Sequence, residues 1–214
     1  AVCEPGYYCR ASEKATQGAC IGGKCPCPAG KFGNVDKANC EGSECETMEE
    51  ALNGCPGLCP IGKYGIGPGH QFEYSACKVC DAGRYPNYSA KEGRTKKEDA
   101  CIECAVGTYK QYNDISLCTL CPLGFYGDLG NNPNITTPSE STKKTGKKTF
   151  STACTKKCPP GKHGKSLGQN NVDTGCEDCE PGKYNNEKGQ MTCENQCGPG
   201  KYGPKPGGKI EENS

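Results

Sequence analysis

Cysteine is the residue through which this chain could do chemistry: 21 of its 214 residues are cysteine, several of them in Cys-x-x-Cys pairs. Sulfurs at that spacing can hold zinc, cycle as a redox couple or close disulfides. Cys77-x-x-Cys80 and Cys101-x-x-Cys104 are separated by 20 residues, inside the range of a four-cysteine zinc site. A thioredoxin-like couple needs a βαβ setting that puts the pair at a helix start, and no such pattern surrounds these cysteines. The residues that follow the sulfurs decide the matter. Nine anchor cysteines (Cys3, Cys27, Cys59, Cys80, Cys104, Cys121, Cys158, Cys179 and Cys197) are each followed by glycine three residues on: Gly6, Gly30, Gly62, Gly83, Gly107, Gly124, Gly161, Gly182 and Gly200. The sixth position is Tyr8, Phe32, Tyr64, Tyr85, Tyr109, Tyr126, His163, Tyr184 and Tyr202, with His163 alone breaking the aromatic rule. Zinc requires neither the glycine nor the aromatic. The pattern is a disulfide-stapled repeat array, for which no metal and no cofactor is expected.

The elements that position the sulfurs must be small. The glycine is expected at positive φ, or where another backbone approaches closely, so that the chain can reverse beside the staple. The aromatic supplies area that a small module lacks, its ring lying on the staple or on the next unit; a sugar-stacking row is the competing reading. Strands of two to five residues in twisted hairpins should carry both. The simplest pairing joins each anchor to the first cysteine of the next pair: Cys27 with Cys40, Cys59 with Cys77, Cys80 with Cys101, Cys104 with Cys118, Cys121 with Cys154, Cys158 with Cys176 and Cys179 with Cys193. Cys45 and Cys55 would close across a helix. Cys3, Cys9, Cys20 and Cys25 make two bonds in one of three connectivities, and Cys197 is left over, its partner expected in a continuation of the chain or in another molecule.

Composition agrees with staples in place of a core. Tryptophan is absent, phenylalanine occurs four times, and 31 glycines and 16 prolines accompany a hydrophobic content of 33%. Disulfides at this density persist only in an oxidising compartment, so the chain is expected to be secreted or displayed at a cell surface. Two N-glycosylation sequons, Asn87-Tyr88-Ser89 and Asn134-Ile135-Thr136, point the same way and make N-linked glycans expected partners. No apolar run is long enough to span a membrane, and residues 1–20 contain no signal-peptide core, as expected of a mature or excised piece. A net charge of +1 argues against long-range attraction to nucleic acid or anionic lipid as the main function.

Nine segments follow from the anchors: 1–26, a partial repeat; 27–58, enlarged and containing a helix; 59–79; 80–103; 104–120; 121–157, with a long polar loop; 158–178; 179–196; and 197–214, a second partial repeat. Ser43 and Glu46 form a capping box ahead of Thr47-Met-Glu-Glu-Ala-Leu52, which predicts a helix over 44–53. Asn131–Thr152 has almost no apolar residue and reads as an exposed loop, with a glycan-bearing or partner-contacting projection as the sharper reading, and Lys143, Lys144, Lys147 and Lys148 as its solvated charges. His70 and His163 lie in different loops, without the nucleophile and carboxylate that hydrolysis requires.

Cys118–Tyr126, CTLCPLGFY, and Cys55–Tyr64, CPGLCPIGKY, resemble the C-x-x-C-P-x-G-x-Y hallmark of ephrin-receptor-like and tumour necrosis factor receptor cysteine-rich repeats. The resemblance extends over nearly the whole chain. It implies small disulfide-rich β-hairpin modules stacked end to end into an elongated rod with little regular structure. Long arrays of this kind also resemble protist surface proteins, including those of flagellar hairs (mastigonemes) and cell coats. The implied role is a non-catalytic structural segment of a surface filament, appendage or coat, partnered by other protein subunits or by copies of itself. A receptor or adhesion ectodomain binding a protein ligand is the alternative. An enzyme has no catalytic constellation to support it.

Overall fold

A computed structural model describes residues 7–9, 24–33, 55–128, 145–201 and 203–210. Among these residues every strand has two or three residues, and the strands form eight two-stranded sheets. Such short ladders cannot bury themselves, and they do not build a shared interior. Among the described residues, every buried one is Cys, Gly, Ala or Pro86, apart from Lys110 and Asn185. The molecule is therefore a set of small disulfide-rich modules. No helix of the described residues is long and apolar enough to cross a membrane.

By packing, the chain divides into two compact units. The first comprises Ala1–Asp81, Tyr85–Ile102 and Asn113–Ile115; the second Ala82–Arg84, Glu103–Tyr112 and Ser116–Ser214. In the first, antiparallel pairs join Tyr7–Cys9 to Lys24–Pro26, Lys31–Phe32 to Gly57–Leu58, and Lys63–Gly65 to Cys77–Val79. In the second they join Thr108–Tyr109 to Thr119–Leu120, Phe125–Tyr126 to Lys156–Lys157, Lys162–Gly164 to Cys176–Asp178, and Lys183–Tyr184 to Asn195–Gln196. The eighth sheet pairs Arg84–Pro86 with Cys101–Glu103. In each hairpin the outgoing strand carries the repeat's sixth-position residue.

The helix expected over 44–53 lies outside the described residues. Among the described residues, four helical turns that the sequence pattern did not predict occur at Glu73–Ala76, Lys97–Ala100, Phe150–Ala153 and Val172–Gly175, each running directly into the first cysteine of a pair. None has a helical period to detect, because each is a single turn closed by two or three backbone bonds, such as Ala76 N–H to Phe72 O at 3.0 Å. Asn171 caps the last of them, accepting from the Thr174 amide at 2.9 Å.

Candidate functional site

The repeated sulfur site and the contacts that interlock it with its neighbours are the arrangement that recurs through the described residues. Seven disulfides link described cysteines: Cys27–Cys55, Cys59–Cys77, Cys80–Cys101, Cys104–Cys118, Cys121–Cys154, Cys158–Cys176 and Cys179–Cys193, with Cα atoms 5.5–5.7 Å apart. One of these overturns two expected bonds. Cys27 is bonded to Cys55, so it does not pair with Cys40, and Cys55 does not pair with Cys45. The reason is local: Lys31–Phe32 pairs with Gly57–Leu58, which brings Cys27 to the cysteine just ahead of that strand. Cys55-x-x-x-Cys59 behaves as the next pair in the series, and Cys55 is its first cysteine. Cys40 and Cys45, like Cys3 and Cys20, lie outside the described residues. Among the described cysteines, Cys197 is a free thiol. Because Cys77, Cys80, Cys101 and Cys104 are all in disulfides, they present no thiolates for zinc.

Around each sulfur bridge the backbone repeats itself. The anchor amide donates to the preceding repeat's turn-glycine carbonyl: Cys59 to Gly30, Cys80 to Gly62, Cys104 to Gly83, Cys121 to Gly107, Cys158 to Gly124, Cys179 to Gly161 and Cys197 to Gly182, all at 2.8–3.2 Å. Gly30, Gly62, Gly83, Gly107, Gly124, Gly161, Gly182 and Gly200 have φ between 81 and 85°, the left-handed region. At Gly83 a Cβ would also meet the Gly146 carbonyl oxygen at 2.1 Å. The aromatic of one repeat packs on the staple of the next: Phe32 on Cys59, Ala76 and Cys77; Tyr64 on Cys80, Ala100 and Cys101; Tyr109, joined by Phe125, on Cys121, Ala153 and Cys154. Tyr85, Tyr126 and Tyr184 occupy the corresponding place in their own hairpins, half-buried.

Two further recurring positions escaped the sequence reading. The residue after the aromatic is buried in every described repeat: Gly33, Gly65, Pro86, Lys110, Gly127, Gly164, Asn185 and Gly203. Its amide donates to a carbonyl in the following repeat: Gly33 to His70, Gly65 to Arg94, Lys110 to Lys147, Gly127 to Gln169, Gly164 to Gln190 and Asn185 to Gly208, at 2.8–3.3 Å. Pro86 has no amide hydrogen to give. Each of those carbonyls follows a second glycine. Gly69, Gly93, Gly146, Gly168, Gly189 and Gly207 all have positive φ and donate to the anchor carbonyls of Cys27, Cys59, Cys104, Cys121, Cys158 and Cys179 at 2.8–2.9 Å. A signal was present: Gly69, Gly93, Gly146 and Gly168 each stand eight residues before Cys77, Cys101, Cys154 and Cys176.

Charges trim the hairpins. Arg84 donates to Glu103 at 2.6 Å, and the Thr145 hydroxyl reaches the other oxygen of that carboxylate at 2.7 Å, tying the return of one repeat to the strand of another. Asp81 pairs with Lys97 and lies near Lys78; the hydrogen bond from Lys97 holds its carboxyl below the ordinary range, against a smaller opposing effect of burial. The Lys183 ammonium does the same for Glu180 at the surface. Of the histidines, His163 sets its ring Nδ1 3.2 Å from the Gly164 carbonyl, and His70 contributes its own carbonyl to Gly33. Among the described residues no group of three or more His, Cys, Asp and Glu side chains could hold a metal ion. A polar cavity of about 240 Å³ beside Asn185 and Asn186 includes Glu187 and Glu194, whose carboxylates already accept from Gln190 and Thr192.

The sequon residue Asn87 lies on the turn after Arg84–Pro86, half-buried, while Asn134 lies outside the described residues. No curated protein sequence matches the chain. Residues 93–145, which contain the Cys101-x-x-Cys104 and Cys118-x-x-Cys121 pairs, match the family described as tyrosine-protein kinase ephrin type A/B receptor-like. Seven disulfides staple one hairpin after another among the described residues, so the chain carries cysteine-rich repeats, of which residues 93–145 are ephrin-receptor-like.

Proposed function

We propose that the chain is a non-catalytic structural segment of an extracellular filament, appendage or cell coat, of the mastigoneme-like kind, assembling with other protein subunits or with copies of itself. The observation that carries this reading is the backbone interlock. One hydrogen bond, from an anchor cysteine amide to the previous turn glycine, recurs seven times, so cysteines, glycines and aromatics are all committed to joining one unit to the next. Residues used in that way serve as a spacer or assembly element rather than as a reactive centre. The test is assembly of purified native material, followed by light scattering across concentration and by electron microscopy. Ordered filaments or sheets are expected. A monomer at every concentration, in the presence of its co-purifying subunits, would remove the support.

A second reading, a receptor or adhesion ectodomain, is favoured by the receptor-like family that residues 93–145 match and by exposed Tyr74, Tyr112 and Leu117. Saturable binding of a protein ligand by the monomer, weakened by Tyr112→Ala, would favour it over the filament.

A further inference from the structure

We propose that Asn87 carries an N-linked glycan whose innermost sugar lies over the ring of Tyr88 and the side chain of Ile115. This rests on the extracellular reading above. The backbone at Asn87 is fixed on both sides, its amide donating to Ala100 O at 2.9 Å and its carbonyl accepting from Ala90 at 3.0 Å. The side chain is fixed as well: Oδ1 accepts from the Ser89 amide at 3.2 Å, and Nδ2 donates to Asp99 O at 3.2 Å. Tyr88 and Ser89, the other sequon residues, are exposed. The acceptor amide is thus presented on an ordered surface turn.

Tyr88 is 61% exposed and Ile115 is 58% exposed. The Tyr88 hydroxyl reaches the Ile115 carbonyl at 3.4 Å, which holds the two residues together, and the Ile115 Cγ2 lies 3.5 Å from where a Gly62 Cβ would stand. This places an exposed tyrosine next in sequence to the glycan acceptor, with an exposed isoleucine at the hydroxyl end of its ring. The C–H face of a pyranose is apolar and of the right size to cover such a pair, and covering it removes that area from solvent.

The donor class is an oligosaccharide linked through its anomeric carbon to a polyprenyl diphosphate. A bond forms from Asn87 Nδ2 to that carbon, the anomeric C–O bond breaks with its electron pair leaving on the diphosphate, and one Nδ2 proton passes to a transferase base. Nothing is oxidised or reduced. The second N–H remains on Nδ2, so a hydrogen bond to Asp99 O can persist.

The experiment is secretion of the chain from a glycosylating eukaryotic host as wild type, Ser89→Ala and Tyr88→Ala, with glycopeptide and disulfide mapping on the same samples. Glycan mass is expected on the Asn87 peptide of wild type and Tyr88→Ala and not of Ser89→Ala. Under native conditions, release of the Asn87 glycan by peptide N-glycosidase should be several-fold slower from wild type than from Tyr88→Ala, the difference vanishing after denaturation. An unmodified Asn87 in a chain whose Cys80–Cys101 bond has closed overturns the glycan while leaving the extracellular reading intact. Open thiols throughout overturn both. Equal release rates from wild type and Tyr88→Ala overturn the placement over the ring.

Discussion

Gly83 and Gly146 show how much a single missing methyl group decides in this chain. Both have positive φ, 82 and 66°, but at Gly83 a Cβ would be driven against the Gly146 carbonyl, whereas at Gly146 the nearest atom, in Glu103, is at an ordinary 3.5 Å. Gly146→Ala should therefore cost only the left-handed strain of an L residue, about 1–2 kcal/mol. Gly83→Ala should cost more than that, because strain and overlap add. Denaturant midpoints of the two variants check the order, and equal losses would show that the close approach is unimportant. A carboxylate gives a second residue-scale expectation. Asp81 has its folded pKa below the ordinary 3.8, first through the hydrogen bond from Lys97, so its contribution to stability is complete above that value. That contribution is lost as the pH falls through the lower, folded-state value. The stability difference between wild type and Asp81→Asn should be constant near neutrality and shrink below about pH 4. A difference that grew on acidification would contradict the assignment.

At the scale of the element, the helical turn and the small residue that ends it explain both what the sequence pattern revealed and what it hid. Cysteine, turn glycine and aromatic were legible because they recur at fixed short spacing. The turns Lys97–Ala100 and Phe150–Ala153 were not, since four residues carry no period and their sequences, KEDA and FSTA, share only the last letter. That letter is the one under constraint. Ala100 is buried between the Cys80–Cys101 staple and Tyr64, and its carbonyl accepts from Asn87 at 2.9 Å. The buried residue after the aromatic was hidden for a different reason. At Gly65, Gly127 and Gly164 a Cβ would meet the preceding repeat's turn-glycine nitrogen at 1.9–2.4 Å, yet Pro86, Lys110 and Asn185 fill the same place elsewhere, so no single residue type recurs to mark it. The Cys27–Cys55 bond was missed because the intervening Cys40 is nearer in sequence, whereas strand pairing selects by position in the hairpin. Two changes at one junction test this packing. Ala100→Leu should overfill the site and cost about 1–3 kcal/mol. Tyr64→Ala should expose the staple from the other side and cost a similar 0.5–3 kcal/mol. Since both touch the same disulfide, the double variant should fall short of the sum of the singles by about 0.5 kcal/mol or more. Strict additivity would mean that Tyr64 and Ala100 do not share a site.

At the scale of the molecule, the interior formed by the described residues is made of bonds rather than of buried hydrocarbon, and the seven described staples close consecutive loops, none enclosing another. Opening one loop should then weaken its own repeat and the contacts it makes with its neighbours, without unfolding the chain. Paired replacement of Cys104 and Cys118 by serine opens a loop whose ends are 14 residues apart, and replacement of Cys121 and Cys154 opens one of 33. Loop entropy puts the first at about 3 kcal/mol and the second roughly 0.8 kcal/mol higher. Hydrogen exchange resolved by repeat is the appropriate measurement. Protection should fall at the amides of Cys104 and Cys121 in the first variant, and at those of Cys121 and Cys158 in the second, because these are the hydrogen bonds joined to each opened loop. Complete reduction and alkylation should abolish protection everywhere, since the alanines and glycines left buried cannot hold a fold by themselves. Slow exchange surviving in the reduced, alkylated chain would mean that an apolar interior, and not sulfur, carries the stability, and the reading of these repeats as stapled units would have to be abandoned.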